Sequence, residues 1–198
     1  MDQRLPTDGE VAQLTADLAE LPFRVRRGEV TRTGDCSGVD LNAIAKGYIV
    51  DRGVGAATAA PGVVDVLVNA GGDLCHHGDR VLRVGVENPS GPGGPPTVVV
   101  ALADAAIATS GSIHRGFWIA GTWYGHVLDP RTGWPVIDRP STTVKAPDAM
   151  TADAVATVVN VLGWASAAPL VAELPEITAL GVDAQGAVQR MGRWEDGA

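Results

Sequence analysis

A chain of 198 residues, 45% of them hydrophobic, suits one domain with a core of ordinary size; at 5% aromatics, that core must come mainly from Val, Ala, Leu and Ile. The formal net charge of -8 excludes a generally basic surface, and with it general nucleic-acid or anionic-membrane binding as a function class. A phosphate-bearing ligand on so acidic a protein needs local help from a metal, a lysine or a helix N-terminus.

Thr7 and Glu10 have the spacing of a capping box ahead of VAQLTADLAEL and predict a helix over about residues 8–20. FRVRRGEVTRT alternates around Gly28 as a hairpin does. In DLNAIAKGYIVDRG, Leu41, Ile44, Ala45, Tyr48 and Ile49 fall at helical spacing and predict a helix from about Asn42 to Ala60, ended by Pro61 and Gly62. VVDVLVNA reads as a buried strand running into Gly71 and Gly72. RVLRVGVENP and TVVVALADAAIATSGS read as further strands, with the solvated loop SGPGGPP between them. FWIAGTWYGHVLDP predicts a second hairpin with Gly121 and Thr122 at its turn, and STTVKAP a short strand. DAMTADAVATVVNVLGWASAAPLVAEL gives a helix to about Leu162 and then another; LGVDAQGAVQRMGRWEDG closes the chain as a last hairpin. Without repeats or regular βαβ alternation, the class is α+β, with mixed or antiparallel sheets flanked by helices in a single domain over residues 1–198.

Cys36 and Cys75 lack zinc-ligand spacing and are too few for a disulfide framework, and His76, His77, His114 and His126 form no spaced metal motif. No apolar run reaches the roughly 18 residues of a transmembrane span. MDQRLPTDGEVAQL has no basic region followed by an apolar core, so no export signal is visible in it; the compartment stays open.

Several positions need a reason beyond the fold. Gly47 in a helix costs about 1 kcal/mol relative to alanine, and Lys46 lies so near the apolar face that it wants a partner. In AMTADAVATVVNVLG, Asp153 and Thr157 are four residues apart and project from one face, while Val155, Val158, Val159 and Leu162 define another that packs inward. A carboxylate and a hydroxyl one turn apart are hard ligands suited to magnesium or another oxygen-loving cation; a capping aspartate beside a neutral threonine is the bland alternative. Gly71 and Gly72 before Asp73 allow close ligand approach, or simply a tight turn. ATSGS, residues 108–112 with Ser110 at its centre, offers small and hydroxyl groups whose amides suit an anion or a turn. His126, in GHVLDPRTGWP, is either a base or ligand donor, or a structural histidine.

Taken in order, DLNAIAKGYIVD, VNAGGD, ATSG, HVLDPRTGWPV and KAPDAMTADAVAT resemble the ApbE family of flavin transferases, over about Pro6 to Leu162 and more loosely in the tail. The resemblance implies an ApbE-like domain of which this chain is the C-terminal two-thirds. It implies magnesium-dependent transfer of FMN from FAD to a threonine or serine of an acceptor protein, through a phosphoester and with release of AMP. It also implies that Asp40, Ala43, Lys46, Gly72, Ser110, His126 and Val127 border the flavin nucleotide. Mg²⁺ is then held by the Ala43 backbone carbonyl and the side chains of Asp153 and Thr157, with His126 and Asp153 serving catalysis. Asn42 stands where the family often has glycine, a tolerable departure because asparagine also visits unusual backbone angles.

Family members carry a further N-terminal portion that nothing before Pro6 matches. A sheet without those strands exposes an edge, which invites self-association. Three alternatives stay open: an FAD-binding module that transfers nothing, an FAD pyrophosphatase giving FMN and AMP, and an inactive or split fragment that needs an N-terminal half. Neither the acceptor protein nor the general base is fixed by these residues.

Overall fold

The computed structural model describes residues 4–18, 22–34, 38–137 and 141–194, so Cys36 lies outside it. Its central sheet is built from strands whose small and branched residues alternate between two faces. The order is β12-β11-β10-β7-β4-β3, antiparallel at every pairing: β3 (Val66–Ala70), β4 (Asp73–His77), β7 (Ala106–Gly111), β10 (Ser141–Ala146), β11 (Thr178–Val182) and β12 (Val188–Met191). Ala106, Ala108, Val144 and Ala146 face α2 (Ala45–Thr58) and α3 (Ala149–Leu162), packing on Val50, Val54, Ala149, Ala152 and Ala156. Ile107, Leu180 and Val182 face the other way, against the ribbon of β5 (Leu82–Val86) and β6 (Val98–Leu102). Alanine on both sides of the first interface lets helix and sheet approach closely, which is how a core with few aromatics fills its volume. Around this lie α1 (Asp8–Leu18), the hairpin β1 (Phe23–Arg26)–β2 (Glu29–Arg32), the ribbon β8 (Gly116–Ile119)–β9 (Thr122–Gly125) and α4 (Trp164–Ala172). The α+β class and the tail hairpin β11–β12 are as the sequence predicts.

Several boundaries differ, each for a local reason. α2 begins at Ala45, because Asp40 Oδ1 accepts the Asn42 N–H at 2.7 Å and draws residues 42–44 into a turn. DLCHH, unassigned from the sequence, is strand β4: its polar letters hide the fact that Asp73, Cys75 and His76 are buried. β3 is an edge strand only half covered, with Leu67 46% exposed, and not the buried strand expected. TVVVALADAAIATSGS divides between two sheets, turning at Asp104 with φ 42°. The β8–β9 turn is Ala120–Gly121, with φ of 49° and 80°, one residue earlier than expected; two-residue hairpins of this hand need positive φ at both positions. On α3 the inward face is Ala149, Ala152, Asp153, Ala156, Val159 and Asn160, while Val158 is exposed and Val155 and Leu162 are half-buried. The close helix–sheet spacing selects alanine inward and turns the larger valines toward the flanks and α4.

Candidate active site

The first turns of α2 and α3 meet at Gly47. A Cβ there would stand 2.2 Å from the Ala149 carbonyl oxygen, so only glycine lets the two backbones come this close. Asp51, one turn further along α2, accepts the N–H groups of Ala149 (2.8 Å) and Met150 (2.9 Å), so a side chain of one helix caps the start of the other. Asp148 adds the local cap, accepting the Thr151 N–H at 2.8 Å. The clamp accounts for the helical glycine.

Beside it, Lys46 Nζ lies 2.7 Å from Asp73 Oδ2 and 3.4 Å from Asp153 Oδ1, and the Gly47 N–H donates to Asp153 Oδ2 at 3.3 Å. The predicted need of Lys46 for a partner is met chiefly by Asp73, the first residue of β4. Burial pushes the Asp73 carboxyl up to about 6, with the Asp153 charge adding and Lys46 opposing. Asp153 is only 5% exposed, yet both its contacts are at the long end of the hydrogen-bond range. A buried carboxylate held so loosely favours a cation. Thr157 Oγ1 donates to the Asp153 carbonyl at 3.2 Å and lies 3.4 Å from Ser110 Oγ, leaving lone pairs on the hydroxyl. Ala43 is in the turn before α2. With the Gly47 amide directed at Asp153, no backbone N–H bonds the Ala43 carbonyl among the described residues.

These are all oxygen donors, one of them a carboxylate, and that chemistry fits magnesium. Among the described residues no group of three His, Cys, Asp or Glu side chains could hold a metal, so an ion here would rely on neutral oxygens beside Asp153.

All nine sequence candidates line one cavity of about 940 Å³: Asp40, Ala43, Lys46, Gly72, Ser110, His126, Val127, Asp153 and Thr157. That volume lies near the top of the roughly 300–1,000 Å³ range of ligand pockets. The cavity opens at the end of the sheet where β7 finishes, β10 starts and β3 turns into β4. Gly71 and Gly72, with φ of 68° and 101°, make that turn, and the Gly72 N–H donates to Asn69 Oδ1 at 3.1 Å. Turn and ligand approach are therefore compatible readings of the same pair.

The far wall comes from β5 and from the base of the β8–β9 ribbon. His126 continues the ribbon's ladder, its N–H donating to the Arg115 carbonyl at 3.0 Å. His126 Nδ1 lies 3.1 Å from the same carbonyl. A carbonyl only accepts, so Nδ1 carries the proton in the neutral ring and Nε2 keeps its lone pair. Val127 is buried and its carbonyl accepts the Val136 N–H at 2.9 Å; Asp129 holds the turn that follows, accepting from the Arg131 side chain at 2.8 and 2.6 Å.

Three features of this wall and floor were not singled out from the sequence: the Asp73 ion pair, the Glu87–His114 pair and Arg115. Asp73 stood in the GGD stretch, but its partner is 27 residues away. Glu87 and His114 are also 27 apart, with no local pattern joining them.

Comparison with known proteins places the chain. The ApbE family model matches residues 1–181. The FAD:protein FMN transferase of Treponema pallidum is 36% identical over 155 residues, covering 72% of this chain and 42% of that protein. That of Rhodobacter capsulatus is 32% identical over 165 residues, covering 81% and 31%. Among solved structures, the ApbE protein of Thermotoga maritima superposes with a TM-score of 0.84 at 29% identity, covering 95% of this chain and 62% of that one. The flavin transferase ApbE of Vibrio cholerae gives 0.75 at 25% identity, covering 96% and 62%. The chain spans less than half the length of these curated relatives.

Proposed function

Because this chain belongs to the ApbE family, we propose that it works as a magnesium-dependent FAD:protein FMN transferase, attaching FMN from FAD to a threonine or serine of an acceptor protein. The observation that carries the proposal is Asp153: a buried, loosely held carboxylate that shares a cavity with Lys46, Thr157 and the Ala43 turn.

In this reading the Ala43 carbonyl, Asp153 and Thr157 hold Mg²⁺, which when bound offsets charge on the pyrophosphate of FAD. Asp40, Gly72, Ser110 and Val127 border the nucleotide. Lys46 presents its ammonium to the phosphates from the cavity wall. The acceptor hydroxyl oxygen forms a bond to the phosphorus on the riboflavin side, the phosphorus–oxygen bond to AMP breaks, and AMP leaves with that oxygen. His126 Nε2, with its lone pair free, takes the hydroxyl proton; the sequence left this choice open between His126 and an aspartate, and the Arg115 contact favours His126. Placement and charge stabilisation do most of the work, as in other phosphoryl transfers.

The test is to incubate the full chain with FAD, Mg²⁺ and a flavinylatable acceptor, and to follow FMN addition by mass together with AMP release. FMN on the acceptor with an equal amount of AMP supports the proposal. AMP formed without an acceptor identifies a pyrophosphatase, and bound FAD without AMP identifies a binding module. Asp153→Ala is expected to abolish metal-dependent transfer; undiminished turnover in that variant removes the metal assignment.

A further inference from the structure

Two buried carboxylates stand beside one ammonium at this site, and the ammonium is not shared equally. Lys46 Nζ is 2.7 Å from Asp73 Oδ2 and 3.4 Å from Asp153 Oδ1. Asp73 is 1% exposed and does not line the cavity, whereas Lys46 and Asp153 do. Its backbone is fixed in the β3–β4 ladder, where it pairs with Ala70 directly after the glycine turn. A lysine stem is flexible, so a small rotation would bring Nζ fully onto Asp153. That ion pair would compete with a divalent cation for the same oxygen.

We propose that Asp73 is a positioning residue: by holding Lys46 at 2.7 Å from behind the cavity wall, it limits the ammonium to a longer, 3.4 Å contact with Asp153 and leaves that carboxylate freer to take a divalent cation. The inference rests on the metal reading of Asp153. It assigns Asp73 a task separate from contact with FAD or metal, and it explains why a buried aspartate opens β4.

The test is Mg²⁺ binding by titration calorimetry, repeated with Mn²⁺, on the full chain and on Asp73→Asn, Lys46→Met and the double variant. Charge alone makes Asp73→Asn weaken cation binding and Lys46→Met strengthen it, by factors that multiply independently. Competition adds a coupling. Lys46→Met is expected to raise affinity about tenfold more in the Asp73→Asn background than in the unaltered chain. Equal factors in the two backgrounds overturn the inference and leave the metal reading standing; absence of cation binding by the unaltered chain overturns both. Should Asp73→Asn not fold, acetylation of Lys46 in the unaltered chain, followed by mass, decides the matter. With Mg²⁺ binding established by the calorimetry, a rate unchanged by Mg²⁺ supports the Asp73 anchor. A rise on adding Mg²⁺ shows that Asp153 had been holding the lysine, and overturns it.

Discussion

Asp73 ties the chemistry of the cavity to the stability of the chain. Its carboxyl is raised from 3.8 to about 6 in the folded protein, by burial first and by Asp153 in addition. As pH rises, the unfolded chain gives up this proton near the ordinary value while the folded chain keeps it until about 6. The folded state therefore binds more protons in that window, and the stability this group contributes, complete below about 4, is lost as pH rises through 6. Urea unfolding between pH 4 and 7 should show that decline in the unaltered chain and a flatter profile in Asp73→Asn; parallel profiles would contradict it. The oxygen and cation candidates Ala43, Lys46, Asp153 and Thr157 were legible because each sits in a quoted motif, Asp153 and Thr157 at helical spacing. The assignment of Lys46 to Asp73 was not legible. It depends on two side chains 27 residues apart meeting at 2.7 Å, while a competitor 107 residues away stops at 3.4 Å.

At the scale of the element, local signals were readable and competing ones misled. The α1 capping box is present: the Thr7 N–H donates to Glu10 Oε2 at 2.8 Å and the Glu10 N–H to Thr7 Oγ1 at 3.3 Å. Arg4, then Thr7, lowers the Glu10 carboxyl to about 2. That support is present above about 4.5 and disappears as pH falls toward 2, so amide protection over residues 8–18 should weaken across this range, and less so in Glu10→Gln. The start of α2 was misjudged because an aspartate two residues ahead of Asn42 makes a turn as readily as a cap. Between elements, Gly47→Ala should push α2 away from α3 and destabilise the fold by about 1–3 kcal/mol, the usual cost of overpacking, read as a lower denaturation midpoint. Asp51→Ala, which uncovers two amides at the start of α3, should cost about 1 kcal/mol in the same measurement.

For the whole molecule, the class was legible from the irregular mixing of strands and helices, but the order of the sheet was not. β7 lies between β4 and β10 through pairings that span about thirty positions or more, such as Leu74 with Ile107 and Ala108 with Val144, and nothing in the composition encodes them. The sheet ends at β3, where Leu67 is 46% exposed; Val64, two residues ahead of that strand, is 82% exposed, and the neighbouring helix α2 exposes Tyr48 and Ile49. An uncovered edge beside apolar side chains favours association. Sedimentation velocity is expected to show species growing with concentration, and Val64→Lys with Leu67→Lys should shift them toward monomer. Profiles independent of concentration would count against this.

The clamp at Gly47 has one more effect. Asp51 fastens the start of α3 to α2, so the helix carrying Asp153 and Thr157 is set against the helix that Ala43 precedes by the protein's own contacts. A site assembled in advance surrenders little conformational entropy on association, and so keeps more of its contact energy as affinity.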